Sequence, residues 1–158
     1  MGIKKFILNI FLGILYYITL CLPIKKNKIA FISLESEHLE SDLKLIYESL
    51  KDRPYTLVCV LTSFKNNGLW MNFLYFLNTL KQIFVINTSS LVIINDNNYV
   101  ISNFKRKGVK VLQVWHAAGA IKKFGNTIKR AYPIKNYDYV LCNGDFWIKP
   151  YSEAFNVK

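Results

Sequence analysis

The chain has 158 residues, 52% of them hydrophobic and 15% aromatic, which is enough apolar material for one packed domain and excludes a disordered protein. Its formal net charge of +11 is unevenly spread: no acidic residue lies between Asp96 and Asp138, whereas Glu35, Glu37, Glu40, Asp42 and Glu48 gather earlier. Such a field selects for polyanions (a phosphate-bearing substrate, anionic lipid or nucleic acid), and its bland alternative is a solvated basic surface.

The first element is Phe6 to Ile24, an uncharged stretch bracketed by Lys4-Lys5 and Lys25-Lys26. At about 1.5 Å per residue, a helix of this length approaches the ~30 Å hydrocarbon core of a bilayer. Residues 1–24 are expected to form a hydrophobic membrane-associating helix, either a single span or an in-plane helix whose flanking lysines hold anionic headgroups. A core helix and a signal sequence compete with it. Residues 25–158 then read as one domain.

Within that domain, Lys28 to Leu34 predicts a buried strand. Leu39 to Leu50, with Leu43, Ile46, Tyr47 and Leu50 at helical spacing, predicts a helix that Pro54 ends. Tyr55 to Thr62 is β-branched and apolar and predicts the second strand. Asn66-Asn67-Gly68 reads as a turn, and Leu69 to about Asn87 as a long apolar helix. Leu91–Asn95, Lys110–Val114 and Tyr137–Cys142 predict three further strands. Phe146 to Phe155 predicts a closing helix behind the turn Asn143-Gly144-Asp145. Strands alternating with helices imply an α/β fold with a Rossmann-like open parallel sheet.

The loop after the first strand, E-S-E-H-L-E-S, is acidic and lacks the glycines of a phosphate-binding turn. The three cysteines are odd in number, with no metal-ligand spacing, so no metal and no cofactor are expected, and the thiols read as buried in a reducing compartment. His38 sits in the acidic loop and reads as a surface histidine.

The segment V-L-Q-V-W-H-A-A-G-A-I-K-K-F-G, Val111 to Gly125, carries the chemistry. A buried strand delivers His116 to its carboxyl end, the edge at which open α/β sheets bind ligands. Small residues follow, so a ligand can approach the backbone, and a helix beginning near Gly119 would turn free N–H groups toward an anion. His116 is the candidate general base, its alternative being a core histidine satisfied by a carbonyl. Lys122 and Lys123 are candidate phosphate contacts, with Arg130 and Lys129 weaker ones; alone, the lysine pair would be an ordinary solvated face. Trp115 reads as packing that fixes the imidazole. Few aromatics accompany the basic region and no RRM- or HTH-like signature is present, so nucleic acid is not an expected partner.

The segment Q-V-W-H-A-A-G-A-I-K-K-F-G resembles the signature of the CDP-glycerol glycerophosphotransferase family, the teichoic-acid primases and polymerases of cell-wall polymer synthesis. K-N-Y-D-Y-V-L-C-N-G…Y-S-E-A-F is similar to that family's next block, and K-K-N-K-I-A-F-I-S to its first strand. The resemblance implies a GT-B type fold of two Rossmann-like halves, with this chain as the amino-terminal, acceptor-side half. It implies transfer of glycerol phosphate from CDP-glycerol to a hydroxyl of a membrane lipid-linked glycerol phosphate acceptor, at the cytoplasmic face of the plasma membrane. His116 would be the base, with Gly119, Lys122 and Lys123 lining the same cleft. The family's second histidine block and donor half have no counterpart here, so the chain is expected to be incomplete and inactive alone: a truncated product, or half of a split enzyme partnered by a separate chain. The rival expectation is a non-catalytic, membrane-associated basic fragment that binds anionic lipid or phosphate polymers. Primase and polymerase, glycerol and ribitol donors, and spanning and in-plane helices stay open at this point.

Overall fold

A computed structural model of the chain describes residues 3–63, 68–115 and 123–157, with side chains from Phe6 onward. Strands β1 (Lys25–Ser33), β2 (Thr56–Leu61), β3 (Ser89–Ile94), β4 (Lys110–Gln113) and β5 (Tyr139–Val140) form one sheet in the order β2-β1-β3-β4-β5. Every pairing is parallel. The chain steps outward from β1 to β2, returns past β1 to β3, and then continues to β4 and β5. The reversal places a topological switch point between β1 and β3, and beyond the carboxyl ends of those strands the diverging connections leave a crevice.

Among the described residues the α-helices that accompany the strands are α1 (Ile3–Leu20), α2 (Ser41–Leu50), α3 (Leu69–Thr88), α4 (Tyr99–Phe104) and α5 (Ile148–Phe155). Alternate strand residues serve the two faces of the sheet. Ile29, Phe31 and Ile93 pack with Leu43 of α2, and the Phe31 ring meets Tyr47 edge-on at 5.5 Å. Ala30, Ile32, Val92 and Ile94 point to the other face, where Leu12 of α1, Ile83 and Ile86 of α3, Ile101 of α4 and Phe155 of α5 complete the larger core. Burial on both faces is why these strands read as continuous apolar runs.

The amino-terminal helix is a packed part of this layer. Leu12 and Thr19 are fully buried, Phe11 meets Phe76 of α3 edge-on, and Tyr99 donates its hydroxyl hydrogen to the Asn9 amide oxygen. Arg106 donates from Nη1 to the carbonyls of Thr19 (2.9 Å) and Leu22 (2.7 Å), satisfying acceptors that a helix end leaves without intrahelical partners. Among the described residues no helix is long and apolar enough to cross a membrane.

The elements differ from the sequence expectation in three places. Helix α4 was not expected; the polar run before it reads as a loop, but Asn98 is its cap, its side-chain oxygen accepting from the Ile101 N–H at 3.0 Å. The last strand shrinks to Tyr139–Val140, and the closing helix divides into a 3-10 turn, Asp145–Trp147, followed by α5. Pro150 is tolerated because it lies in the first turn of α5, where no N–H is needed. The thiols also need correcting: Cys21 is exposed, and Cys59 and Cys142 are half-buried, none of the three in a disulfide.

Candidate functional site

At the switch point the loop after β1 arches over the sheet. Ser33 Oγ accepts from the N–H groups of Glu35 (3.3 Å) and Ser36 (3.4 Å), the hydroxyl-to-backbone pattern that turns a chain sharply. Ser36 Oγ then donates to Glu40 at 2.8 Å and accepts from the His38 N–H at 3.1 Å, which closes the loop upon itself. Two adjoining hollows share Glu35, Ser36 and Glu40. The smaller, about 80 Å³, reaches across the switch point to Asn95 at the end of β3 and Val114 at the end of β4. The larger, about 460 Å³, opens toward Glu37, His38, Ser63 and Met71. Carboxylates only accept hydrogen bonds, so this lip suits hydroxyl groups and repels phosphate. His38 is exposed, as expected of it, yet it lines this hollow.

The other lip is built from β4. Val114 N–H donates to the Ile94 carbonyl at 2.8 Å, and Leu141 N–H to the Gln113 carbonyl at 2.9 Å, so neighbouring strands fix the chain up to its exit from the sheet. Trp115 follows, and its indole stacks on Phe124 with ring centroids 5.6 Å apart and planes 16° from parallel. Phe155 meets both rings edge-on, and Tyr151 meets Phe124 at 5.4 Å. The segment between Trp115 and Phe124 holds His116, Gly119 and Lys122, which lie outside the described residues. Lys123, exposed, adjoins the stacked Phe124.

Beyond Phe124 the chain makes a 3-10 turn, Gly125–Thr127, closed by Thr127 Oγ, which accepts from the Phe124 N–H at 3.0 Å. Gly125 has φ +60°, and a Cβ there would lie 2.3 Å from the Ala154 carbonyl oxygen, so only glycine permits this approach to α5. Asn126 exchanges two 2.7 Å hydrogen bonds with the backbone of Ile134. Arg130 is exposed, and its Nε donates to the Gly125 carbonyl at 2.8 Å. With the Asn97 amide oriented to satisfy both its ends, Arg130 Nη1 also donates to the Asn97 side-chain oxygen at 3.1 Å. The residue expected to hold phosphate thus also braces the Gly125 turn against the loop after β3.

That loop, Asp96 to Asn98, is set by two tyrosines that sequence reasoning did not single out, Tyr132 donating to the Asn97 carbonyl and Tyr137 to the Asp96 carbonyl, each at 3.4 Å. Buried Asn98 donates its N–H to Tyr137 Oη at 2.9 Å and its side-chain amide to Gln82 at 2.6 Å. Burial pushes the Tyr137 and Tyr132 phenols well above the ordinary tyrosine range, so both stay neutral.

Part of the basic stretch lies elsewhere. Lys105 and Lys110 meet Asp138 at 2.6 and 3.2 Å, at the amino ends of β4 and β5, on the sheet edge opposite the crevice. Partial burial pushes the Asp138 carboxyl up, but the Lys105 hydrogen bond, the Val111 N–H and the lysine charges outweigh it, and the net shift is downward. Among the described residues no three His, Cys, Asp or Glu side chains converge as a metal cage.

Comparison with known proteins places these observations. The chain is 27% identical over 152 residues to a teichoic acid ribitol-phosphate primase of Bacillus spizizenii, a match covering 87% of this chain and 39% of that protein. It is 30% identical over 96 residues to a teichoic acid glycerol-phosphate primase of Bacillus subtilis, covering 52% of this chain and 25% of that protein. A teichoic acid poly(ribitol-phosphate) polymerase of Bacillus spizizenii is 28% identical over 151 residues, 86% of this chain and 23% of the polymerase. The chain therefore spans well under half the length of the curated relatives it matches. The family model for CDP-glycerol:poly(glycerophosphate) glycerophosphotransferases matches residues 14–158, and the chain belongs to that family.

Proposed function

We propose that this chain forms the acceptor-side half of a GT-B type transferase of teichoic acid synthesis. It would move glycerol phosphate from CDP-glycerol to a hydroxyl of a lipid-linked acceptor at the cytoplasmic face of the membrane. In this reading His116 takes the proton of the acceptor hydroxyl as its oxygen bonds to the β-phosphorus. The bond from that phosphorus to the bridging oxygen breaks, and CMP departs with the electron pair. Lys122, Lys123 and Arg130, with the backbone at Gly119, neutralise the phosphates, and the carboxylate lip at Glu35–Glu40 accepts hydrogen bonds from hydroxyls of the acceptor. The observation that carries the reading is the two-sided crevice at the switch point. One lip is a hydroxyl-seeking loop, and the other is the clamped strand exit that leads into the histidine and lysine segment.

The relatives' names include both glycerol-phosphate and ribitol-phosphate enzymes, so the test offers both CDP-polyols. Residues 14–158 are assayed in the chain itself and grafted over the matching region of the ribitol-phosphate primase, with labelled CDP-glycerol or CDP-ribitol and a lipid-linked acceptor. Transfer by the graft, lost on His116→Ala with the fold retained, is the expected result. Full turnover by the His116→Ala graft would remove the base assignment. Vesicle binding by a folded chain that transfers in neither setting would favour the non-catalytic, lipid-binding reading.

A further inference from the structure

Arg130 stands where the crevice meets the return of the histidine segment, and it is held there from two sides. Its Nε donates at 2.8 Å to the carbonyl of Gly125, the residue just past Phe124. Its Nη1 and Nη2 reach the Asn97 side-chain oxygen at 3.1 and 3.3 Å, in the amide orientation that satisfies both ends of that side chain. Asn97 follows the end of β3 and lies close in sequence to Asn95, which lines the smaller hollow. The guanidinium therefore bridges the loop after β3 and the turn after Phe124, while Arg130 stays exposed.

Asn97 is itself fixed. Its N–H donates to the Asp96 carboxylate at 2.5 Å, and its carbonyl accepts from the Tyr132 hydroxyl at 3.4 Å. The next residue, Asn98, is buried and gripped by Tyr137 and Gln82. An exposed arginine ordinarily samples many rotamers, and ordering it opposes the binding of any ligand. Here the fold has ordered the side chain beforehand. The nature of the holder matters as much as the hold. Both acceptors are neutral, so the guanidinium keeps its charge, and the remaining N–H of each terminal nitrogen is left for an anion. A carboxylate at position 97 would keep the geometry and cancel the charge.

We propose that Asn97 is a positioning residue, which holds Arg130 as a charged and pre-oriented contact for a phosphate group entering the crevice. The inference rests on the reading of Arg130 as a phosphate contact in the transfer reaction, and it names the side chain that makes this contact effective. Donor and acceptor both carry phosphate, and its oxygens offer the guanidinium the same chemistry from either source. Kinetics with the two substrates separate them.

The test begins with the full chain and inorganic pyrophosphate as the probe, with binding followed by calorimetry and by the Arg130 Nε–H resonance. That resonance, assigned with Arg130→Lys, is expected to exchange slowly with solvent in the wild type and to shift when pyrophosphate is added. Asn97→Ala should speed the exchange and weaken pyrophosphate binding by about tenfold. Asn97→Asp has nearly the same shape; it should keep the slow exchange yet weaken binding at least as much. In an Arg130→Lys background Asn97→Ala should weaken binding no further, which separates an effect through Arg130 from a direct or merely structural one. Wild-type affinity in Asn97→Asp, an equal loss in the Arg130→Lys background, or a wild-type resonance unmoved by pyrophosphate would overturn the proposal. In the grafted enzyme Asn97→Ala is expected to raise one KM by about tenfold. A rise for the CDP-polyol assigns Arg130 to the donor's phosphates, and a rise for the lipid-linked acceptor assigns it to the acceptor's. Unchanged KM for both would also overturn the proposal. Transfer by the graft that still depends on His116 would leave the proposed reaction standing in that event, so the two failures are told apart.

Discussion

Trp115 and Phe124 stack face to face, 5.6 Å apart, at the two ends of the segment that carries His116. The pair works as a clasp, fixing where the segment leaves the sheet and where it returns. Phe124→Ala removes that clasp and its edge contacts with Tyr151 and Phe155, and is expected to cost about 2–3 kcal/mol in urea unfolding, since the ring is only half-buried. Phe124→Leu, which keeps volume without the stack, should cost about 1 kcal/mol. In the grafted enzyme, under the role proposed for His116, Phe124→Leu should lower kcat more than it raises KM. Unchanged kcat would leave the clasp as packing alone.

Gly125 sets the distance between the turn after the clasp and α5. Gly125→Ala forces a Cβ to 2.3 Å from the Ala154 carbonyl at a φ of +60° that side chains disfavour. Destabilisation of about 3 kcal/mol is expected by thermal or urea unfolding, combining the backbone conformation with overpacking. Ala154→Gly removes the Cβ contact but not the carbonyl contact, so it should restore only a fraction in the double variant.

Asp138 links stability to pH. Its carboxyl titrates below the ordinary range in the folded protein, so it contributes stability above the unfolded carboxylate value, and this is lost as pH falls through the folded value. Asp138→Asn strands Lys105, whose side chain is 11% exposed, and should cost about 1–2 kcal/mol at neutral pH. Urea midpoints of the variant and wild type should converge as pH falls through the folded carboxyl's lowered value, by the same linkage. A constant gap between them across that range would show that the ion pairs contribute nothing.

Tyr137→Phe leaves the buried Asn98 N–H without its 2.9 Å acceptor and should cost about 1–3 kcal/mol. Because burial holds the phenol neutral, alkaline absorbance titration should show Tyr137 among the tyrosines, Tyr132 with it, that ionise only on unfolding, and that component should lose one tyrosine in the variant.

The alternation of strands and helices was legible because buried strands and amphipathic helices leave different apolar periods, and β4 with its Trp-His exit was plain in V-L-Q-V-W-H. The crevice was not. Glu35, Asn95 and Val114 meet only because β1 sits beside β3 and β3 beside β4, an adjacency that sequence order conceals. The pairing of Lys105 and Lys110 with Asp138 was hidden for the same reason, since parallel register brings Asp138 to them at the far edge. Helix α4, six residues long, is too short to display a period. Helix α1 is apolar on nearly every side, so its sequence did not reveal which face packs and which stays open.

Arg106 binds the carbonyl ends of α1, its own N–H donates to Asn87 Oδ1 at 2.8 Å, and the Asn87 amide donates to the Phe104 carbonyl at 2.9 Å. One small polar knot therefore couples the ends of α1, α3 and α4. Cutting away residues 1–24 would strip the cover from that knot and from the core around Leu12. A truncated protein would thus report lost folding together with lost attachment. The reverse coupling also holds: whatever grips α1 adds its binding free energy to the stability of the whole sheet, and attachment and folding become one equilibrium.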